Sequence, residues 1–331
     1  MKPQSTTRRQ FLRGATSAAL GFPFVLRTLP ALAQAAGPRA NPNATVKRRR
    51  LGRTGLMVSE VSFGGHYKNP DRTHRIASIE RALDLGINFF DAFEAAPSYR
   101  EISMVGDALD FLGRRDEAII AAHLWTFGRF YDMDGIDRML RLLKTDHIDV
   151  GWLTALHLTL TDAPVETAIK AKEQGKVRFI GVTGHEKTQV IETLKRGDVF
   201  DVMLFPYSYG MEKGKEYHFP MAKKRDMGIV TIKPFAGGSL FRAKRQIEEL
   251  SAQKEYAGIS PARAYLKYIL SNPDISATIP GMTTAAQVDE NVGASLEGKL
   301  AVGEERFLKD SLAAVRREAT SQYPFMAQWL T

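Results

Sequence analysis

From about residue 50 onward, short apolar runs alternate with longer stretches of amphipathic periodicity. The runs cover 58–63, 87–91, 118–124, 148–156, 177–182, 202–205, 229–232 and 277–279. Between them, 76–85, 104–112, 135–143, 165–173, 188–195 and 261–270 read as helices with one apolar face. The run Ile87-Asn88-Phe89-Phe90-Asp91 follows a helical stretch and Gly86 and stops on a carboxylate. Such a segment reads as a strand buried on both faces, hence parallel. Its terminal carboxylate, Asp91, falls where α/β proteins place their chemistry. Eight strands alternating with helices, with no break in composition, predict the α/β class and one closed (β/α)8 barrel. A doubly wound open sheet calls for a Gly-x-Gly-x-x-Gly turn after the first strand, and Phe63-Gly64-Gly65-His66 does not supply it. Further helical material is expected at 241–256 and 304–320, followed by a tail containing Tyr323, Phe325 and Trp329.

Charge changes the picture at the N-terminus. The formal net charge is +9, but Lys2, Arg8, Arg9, Arg13 and Arg27 lie in a leader of 35 residues that contains no acid. Setting those five aside leaves +4, much of it in Arg39, Lys47–Arg50 and Arg53, so the basic balance does not indicate nucleic-acid binding. Thr7-Arg8-Arg9-Gln10-Phe11-Leu12-Arg13, the modestly apolar stretch 14–26 and the small residues Ala31, Ala33 and Ala35 resemble a twin-arginine signal peptide. Cleavage after Ala33 or Ala35 is expected, with export to the periplasm in a folded state by the twin-arginine machinery. The apolar stretch is too short and too rich in Gly, Ala and Ser to be a lasting membrane anchor. The expected organisation is a signal peptide at 1–35, a solvated basic linker at 36–49 and one barrel at 50–331. The absence of cysteine excludes disulfides, cysteine-ligated Fe–S clusters and thiol nucleophiles.

Several segments together resemble the aldo-keto reductase superfamily. Leu51-Gly52-Arg53-Thr54-Gly55-Leu56-Met57-Val58-Ser59 is similar to its opening hairpin, Gly86 to Asp91 to its second strand, and Gln174-Gly175-Lys176-Val177-Arg178-Phe179-Ile180-Gly181-Val182 to its fifth. Ile279-Pro280-Gly281 and Gln287-Val288-Asp289-Glu290-Asn291 resemble its C-terminal cofactor segment. The resemblance implies NADP(H)- or NAD(H)-dependent reduction of a small carbonyl compound across the C-terminal mouth of the barrel. It also implies a tetrad of Asp, Tyr, Lys and His in which Tyr protonates the carbonyl oxygen.

Only the Asp transfers in place, as Asp91. The Tyr position holds Ala96, with Tyr99 the nearest phenol; the Lys position holds His123; the His position aligns with Thr154, with His157 three residues later. Candidate catalytic residues are therefore Asp91, Tyr99, His123 and His157. An imidazole at the Lys position polarises a phenol less steadily than an ammonium, because its charge varies with pH.

On the cofactor side, the resemblance assigns Gly281, Glu290 and Asn291 to the adenosine and puts Gln287 where an Arg would hold a 2′-phosphate. Lys233 with Gly237, Gly238 and Ser239 forms a glycine-rich candidate cradle for the pyrophosphate. At the nicotinamide, Thr183-Gly184, Leu204 and Ile232 replace the residues that clamp the carboxamide.

Two other readings stay open. His66, His123, His157 and His185 follow or end strands and, with Asp91 and Glu94, could converge as a metal-assisted hydrolase or lyase site, though no pair has a helical metal-binding spacing and no metal is assigned. A binding barrel that has lost the tetrad is the other. The C-terminal aromatic residues either close over the mouth or pack beneath the barrel.

Overall fold

A computed structural model describes residues 43, 45–64, 71–93, 100–126, 129–130, 132–154, 161–185, 187–195 and 197–331. The leader, His66, Glu94, Tyr99 and His157 lie outside the described residues.

Strands β1 (Arg48–Arg50) and β2 (Met57–Ser59) form an antiparallel hairpin. The barrel strands are β3 (Phe63–Gly64), β4 (Phe89–Ala92) and β5 (Ile119–His123). After a small hairpin, β6 (Trp125–Thr126) with β7 (Arg129–Phe130), they continue as β8 (Ile148–Thr154), β9 (Val177–Thr183), β10 (Val202–Pro206), β11 (Gly228–Ile232) and β12 (Ala277–Ile279). All eight pair in parallel from β3 to β12. Bridges Val61 to Thr278 and Gly64 to Gly281 close the ring. The seam is tight: a Cβ on Gly64 would stand 2.6 Å from the Pro280 carbonyl oxygen, so the closing position requires glycine. The closed (β/α)8 barrel expected from the alternation is the fold observed.

Helices cover the outside: α1 (Arg72–Asp84), α2 (Arg100–Leu112), α3 (Met133–Leu143), α4 (Asp162–Glu173), α5 (Lys187–Leu194) and α6 (Gly214–Lys224). The series continues with α7 (Ser239–Arg242), α8 (Lys244–Ser251), α9 (Pro261–Leu270), α10 (Ala285–Leu296) and α11 (Val302–Gln322). Helix α3 shows why these stretches fold as they do. The Asp132 carboxylate caps its first turn by accepting from the Gly135 amide at 2.9 Å, and Lys144 in the left-handed region, φ 52°, ends it. Between the caps, Ile136, Met139, Leu140 and Leu143 put one buried stripe on the sheet. Among the described residues no helix is long and apolar enough to cross a membrane.

The alternation along the strands divides the core in two. Phe89, Ile119, Ala121, Val150, Trp152, Val202, Leu204, Val230, Ala277 and Ile279 fill the barrel interior. Their neighbours Phe90, Ala92, Ile120, Ala122, Leu153, Ile180 and Met203 face the helices.

Two sequence expectations change. The run 58–63 is not one strand: Val58 belongs to the hairpin and packs with Leu51 and Leu56 against the interior cluster, while Phe63–Gly64 forms the barrel strand and Val61 reaches the barrel by its bridge to Thr278. Leu51 is fully buried and contributes roughly 2 kcal/mol as a plug at the N-terminal end. Arg48 and Arg49, read as part of a solvated linker, form β1 with Arg50. The Arg49 guanidinium donates to Glu60 at 2.6 Å and to the carbonyls of Leu270, Asn272 and Ile275. Arg50 and Arg53 are bound by Asp226 and by Asp198 with Asp201. The cluster ties the hairpin to the barrel because each guanidinium finds a fixed acid there.

Candidate active site at the barrel mouth

Asp91, His123 and Trp152 are inward-facing members of adjacent strands. On β4, Phe89 and Asp91 point into the barrel; on β5, Ile119, Ala121 and His123; on β8, Val150 and Trp152. Register pairs Asp91 with Ala121 and His123 with Trp152. Ala121 lies between, and its small side chain leaves the indole a path to Asp91. Trp152 Nε1 donates to Asp91 Oδ1 at 3.0 Å. A Cβ on Gly181, across on β9, would meet Trp152 Cε3 at 2.2 Å, so the indole occupies space that glycine leaves open.

The His123 ring sits above this contact, with Nε2 3.7 Å from Asp91 Oδ1 and Nδ1 3.4 Å from Thr154 Oγ1. The Phe93 ring packs edge-on against it at 4.8 Å. Both ionisable groups are enclosed, Asp91 5% and His123 7% exposed. Burial pushes the Asp91 carboxyl up to about 7, the Trp152 hydrogen bond opposing only part of this. Burial, reinforced by His185, pulls His123 down to about 3. At neutral pH the pair is an imidazole beside a carboxyl near its midpoint, and it is not a salt bridge. The His123 imidazole therefore brings no fixed positive charge.

Next around the mouth, Thr183 is buried at the end of β9, opposite Thr154. Beyond β11 the chain makes a sharp turn in which Lys233, Ala236, Gly237 and Gly238 take φ of 59°, 48°, 66° and 85°. Two non-glycine residues in the left-handed region within one turn mark a strained segment of the kind found at ligand sites. Ser239 is buried beneath it, its Oγ accepting from Arg242 at 2.9 Å, while Arg242 also donates to the Gly237 carbonyl at 3.1 Å. Burial alone lowers the Lys233 ammonium to about 8. Burial, then the Lys233 charge, lowers His185 to about 4.

The adenosine-side candidates lie past β12. Gly281 closes the seam with Gly64. Exposed Gln287 accepts from the Thr283 amide at 2.7 Å and hydroxyl at 2.9 Å. Glu290 accepts from the Ser260 hydroxyl and lies 3.5 Å from Arg263 Nε, while Arg263 also pairs with Glu297. Asn291 is buried.

The tail resolves the choice left open by its aromatic residues. The 3-10 helix Pro324–Trp329 packs on the mouth side, against the turns after β9 and β11. Trp329 is fully buried and its Nε1 donates to the His185 carbonyl at 2.6 Å. Phe325 stacks on the His185 ring at 4.9 Å.

The structure thus joins Asp91 with His123 and Lys233 with Gly237–Ser239, and sets Gly281, Gln287, Glu290 and Asn291 on the neighbouring segment. Sequence reasoning missed Trp152, Arg242 and Arg263. The signal for Trp152 was the glycine across from it, legible only once the β8–β9 register is known. Among the described residues no group of three His, Cys, Asp or Glu side chains is placed to hold a metal ion.

A closed parallel barrel with a buried carboxylate at the end of its second strand and a strained glycine turn after its seventh defines an α/β barrel with its polar side chains gathered at the C-terminal mouth. Residues 60–301 match the model of the aldo/keto reductase family, and the chain belongs to that family. L-galactose dehydrogenase of Arabidopsis thaliana is 30% identical over 284 residues, covering 76% of this chain and 89% of that protein. The methylglyoxal reductase of Escherichia coli is 26% identical over 261 residues, covering 75% and 89%. The fold matches the holo form of an aldo-keto reductase from Bacillus halodurans, TM-score 0.66 at 24% identity, over 80% of this chain and 95% of that one.

Proposed function

We propose that the protein is a nicotinamide-dinucleotide-dependent oxidoreductase that interconverts a small aldehyde, ketone or quinone-like carbonyl compound with its alcohol. The observation that carries the reading is the enclosed Asp91–His123 pair at the mouth of a family barrel, where the sequence resemblance expects the family's Asp and Lys. The names of two relatives, an L-galactose dehydrogenase and a methylglyoxal reductase, support a carbonyl or sugar-derived substrate.

The residues present fit a dinucleotide. Lys233 is a cation with no acid acting on it among the described residues, set in a glycine-bearing turn of left-handed backbone of the kind that turns N–H groups toward an anion. Lys233, Gly237, Gly238 and Ser239 would hold the pyrophosphate, Gly281, Glu290 and Asn291 the adenosine, and Thr183 the nicotinamide side. Gln287 brings no charge to a 2′-phosphate, and Arg263 is paired with Glu290 and Glu297, which favours NAD(H) over NADP(H). When bound, the dinucleotide supplies or accepts hydride.

The chain's own residues handle the proton. Asp91, with its midpoint near 7, is the group in this site that exchanges a proton near neutrality. His123, uncharged there, orients the substrate oxygen and can pass the proton between its two nitrogens. Trp152 holds the carboxyl in place. Tyr99 is the candidate phenol donor to the carbonyl oxygen, and His157 a candidate for orienting the substrate; both lie outside the described residues.

The leader supports export to the periplasm by the twin-arginine machinery, in a folded state with the dinucleotide already bound. The test is hydride transfer by purified protein, followed by nicotinamide fluorescence with NADH and NADPH against a panel of aldehydes, ketones, quinones and sugars. Turnover that collapses in His123→Ala supports the reading. Dinucleotide binding without turnover on any carbonyl replaces it with the binding-barrel reading.

A further inference from the structure

Three basic side chains from three separate elements face two aromatic rings of the C-terminal segment. Lys233 Nζ lies 5.3 Å from the centre of the Tyr323 ring and 5.5 Å from that of Phe325. The Arg242 guanidinium lies 5.5 Å from the Tyr323 ring, and His185 stacks on Phe325 with an interplanar angle of 7°. The π faces carry partial negative charge and satisfy the two cations, Lys233 and Arg242, where an anion could do so more strongly. The Tyr323 ring also fills the glycine hollow: a Cβ on Gly237 would lie 3.0 Å from Tyr323 Cε2. The rings therefore sit on the strained, cation-bearing turn assigned above to the pyrophosphate.

The segment is built in two parts. Trp329 and Met326 are fully buried, and Trp329 is pinned by its bond to the His185 carbonyl and by stacking on Phe205 at 6.0 Å. Tyr323 and Phe325 are only half-buried, on either side of exposed Pro324, just after α11 ends at Gln322. The anchor holds the tail to the barrel downstream of the 323–325 turn, whose backbone is tied to it by the Met326 amide donating to the Tyr323 carbonyl at 2.8 Å.

We infer that residues 323–325 are an aromatic plug on an anion site, and that the plug and a phosphate-bearing ligand occupy that site in alternation. The inference rests on the dinucleotide reading of 233–239 and deepens it: cofactor entry requires exchange of cation–π contacts for phosphate contacts. Affinity is then reduced by the fraction of molecules with the plug seated.

ADP-ribose, which carries both phosphates without the nicotinamide, and inorganic pyrophosphate are the probes. Calorimetry on the full chain and on the Tyr323→Ala/Phe325→Ala double variant compares their affinities. The expected result is binding about tenfold tighter to the double variant. In the unaltered chain, ADP-ribose is expected to raise amide exchange at 323–326, where the Tyr323 amide donates to Ala319 and the Met326 amide to Tyr323, a measurement that needs no variant to fold. Equal affinity in the two proteins overturns the plug and leaves the dinucleotide reading standing, as does a complex with 323–326 still protected. Tighter binding of pyrophosphate to the variant, with ADP-ribose no better than pyrophosphate, supports the plug and removes the dinucleotide reading. Failure of both probes to bind either protein overturns both.

Discussion

His123 Nε2 stands 3.7 Å from Asp91 Oδ1, while Trp152 Nε1 donates to that same oxygen at 3.0 Å. The shorter, neutral contact governs the carboxyl. One indole donor in a dry barrel does not offset the cost of burying a negative charge, and the imidazole is too desolvated to pair with it as a cation. Proton exchange at this site is consequently controlled by burial more than by ion pairing.

Replacement of Asp91 by Asn keeps an oxygen for Trp152 and removes the exchangeable proton. We expect kcat to fall roughly 10²–10⁴-fold with the fold retained by circular dichroism. In the reductive direction, wild-type activity should decline as pH rises through about 7, where Asp91 loses its proton, and this inflection should vanish in the variant.

The same group sets a stability signature. Its folded value of about 7 lies above the ordinary 3.8, so its contribution is full below the lower value and is lost as pH rises to the higher one. His123, lowered from 6.5 to about 3, acts oppositely, its contribution being lost as pH falls below 6.5. Asp91→Asn removes only the first. Measured by denaturant unfolding, the variant should gain on wild type between pH 4 and pH 8, by an amount on the order of 4 kcal/mol.

Gly181→Ala would place a methyl group 2.2 Å from Trp152 Cε3 and drive the indole off Asp91. The expected cost is about 1–3 kcal/mol, with the activity inflection moved to higher pH because the carboxylate loses its donor. An unshifted inflection would show that Trp152 does not tune Asp91.

At the opposite end, Arg49→Met leaves the buried Glu60 carboxylate without its guanidinium, though Ser295 still donates to it at 2.7 Å. We expect a loss of about 3 kcal/mol in unfolding free energy. Dinucleotide affinity should not change, because the hairpin plugs the face remote from the mouth.

Most of the barrel was legible along the chain because its signals are local. Apolar runs of strand length, amphipathic stretches and a carboxylate closing the second strand each depend on residues close in sequence. Charge was less legible: Arg48–Arg50 reads as a solvated run until Glu60, Asp226 and the carbonyls near 272 are brought to it by the fold. Tyr99 and His157 lie outside the described residues, so their roles rest on sequence alone.

The sequence by itself determined the alternation of elements, the barrel that alternation implies, and the placing of Asp91 and His123 at strand ends. Tertiary structure alone decided what those residues are chemically. The donor to Asp91 comes from a residue 61 positions away, and the indole that pins the tail reaches a carbonyl 144 positions away. Burial, which sets protonation, and register, which sets neighbours, are properties of the closed barrel as a whole, and no local window of sequence contains them.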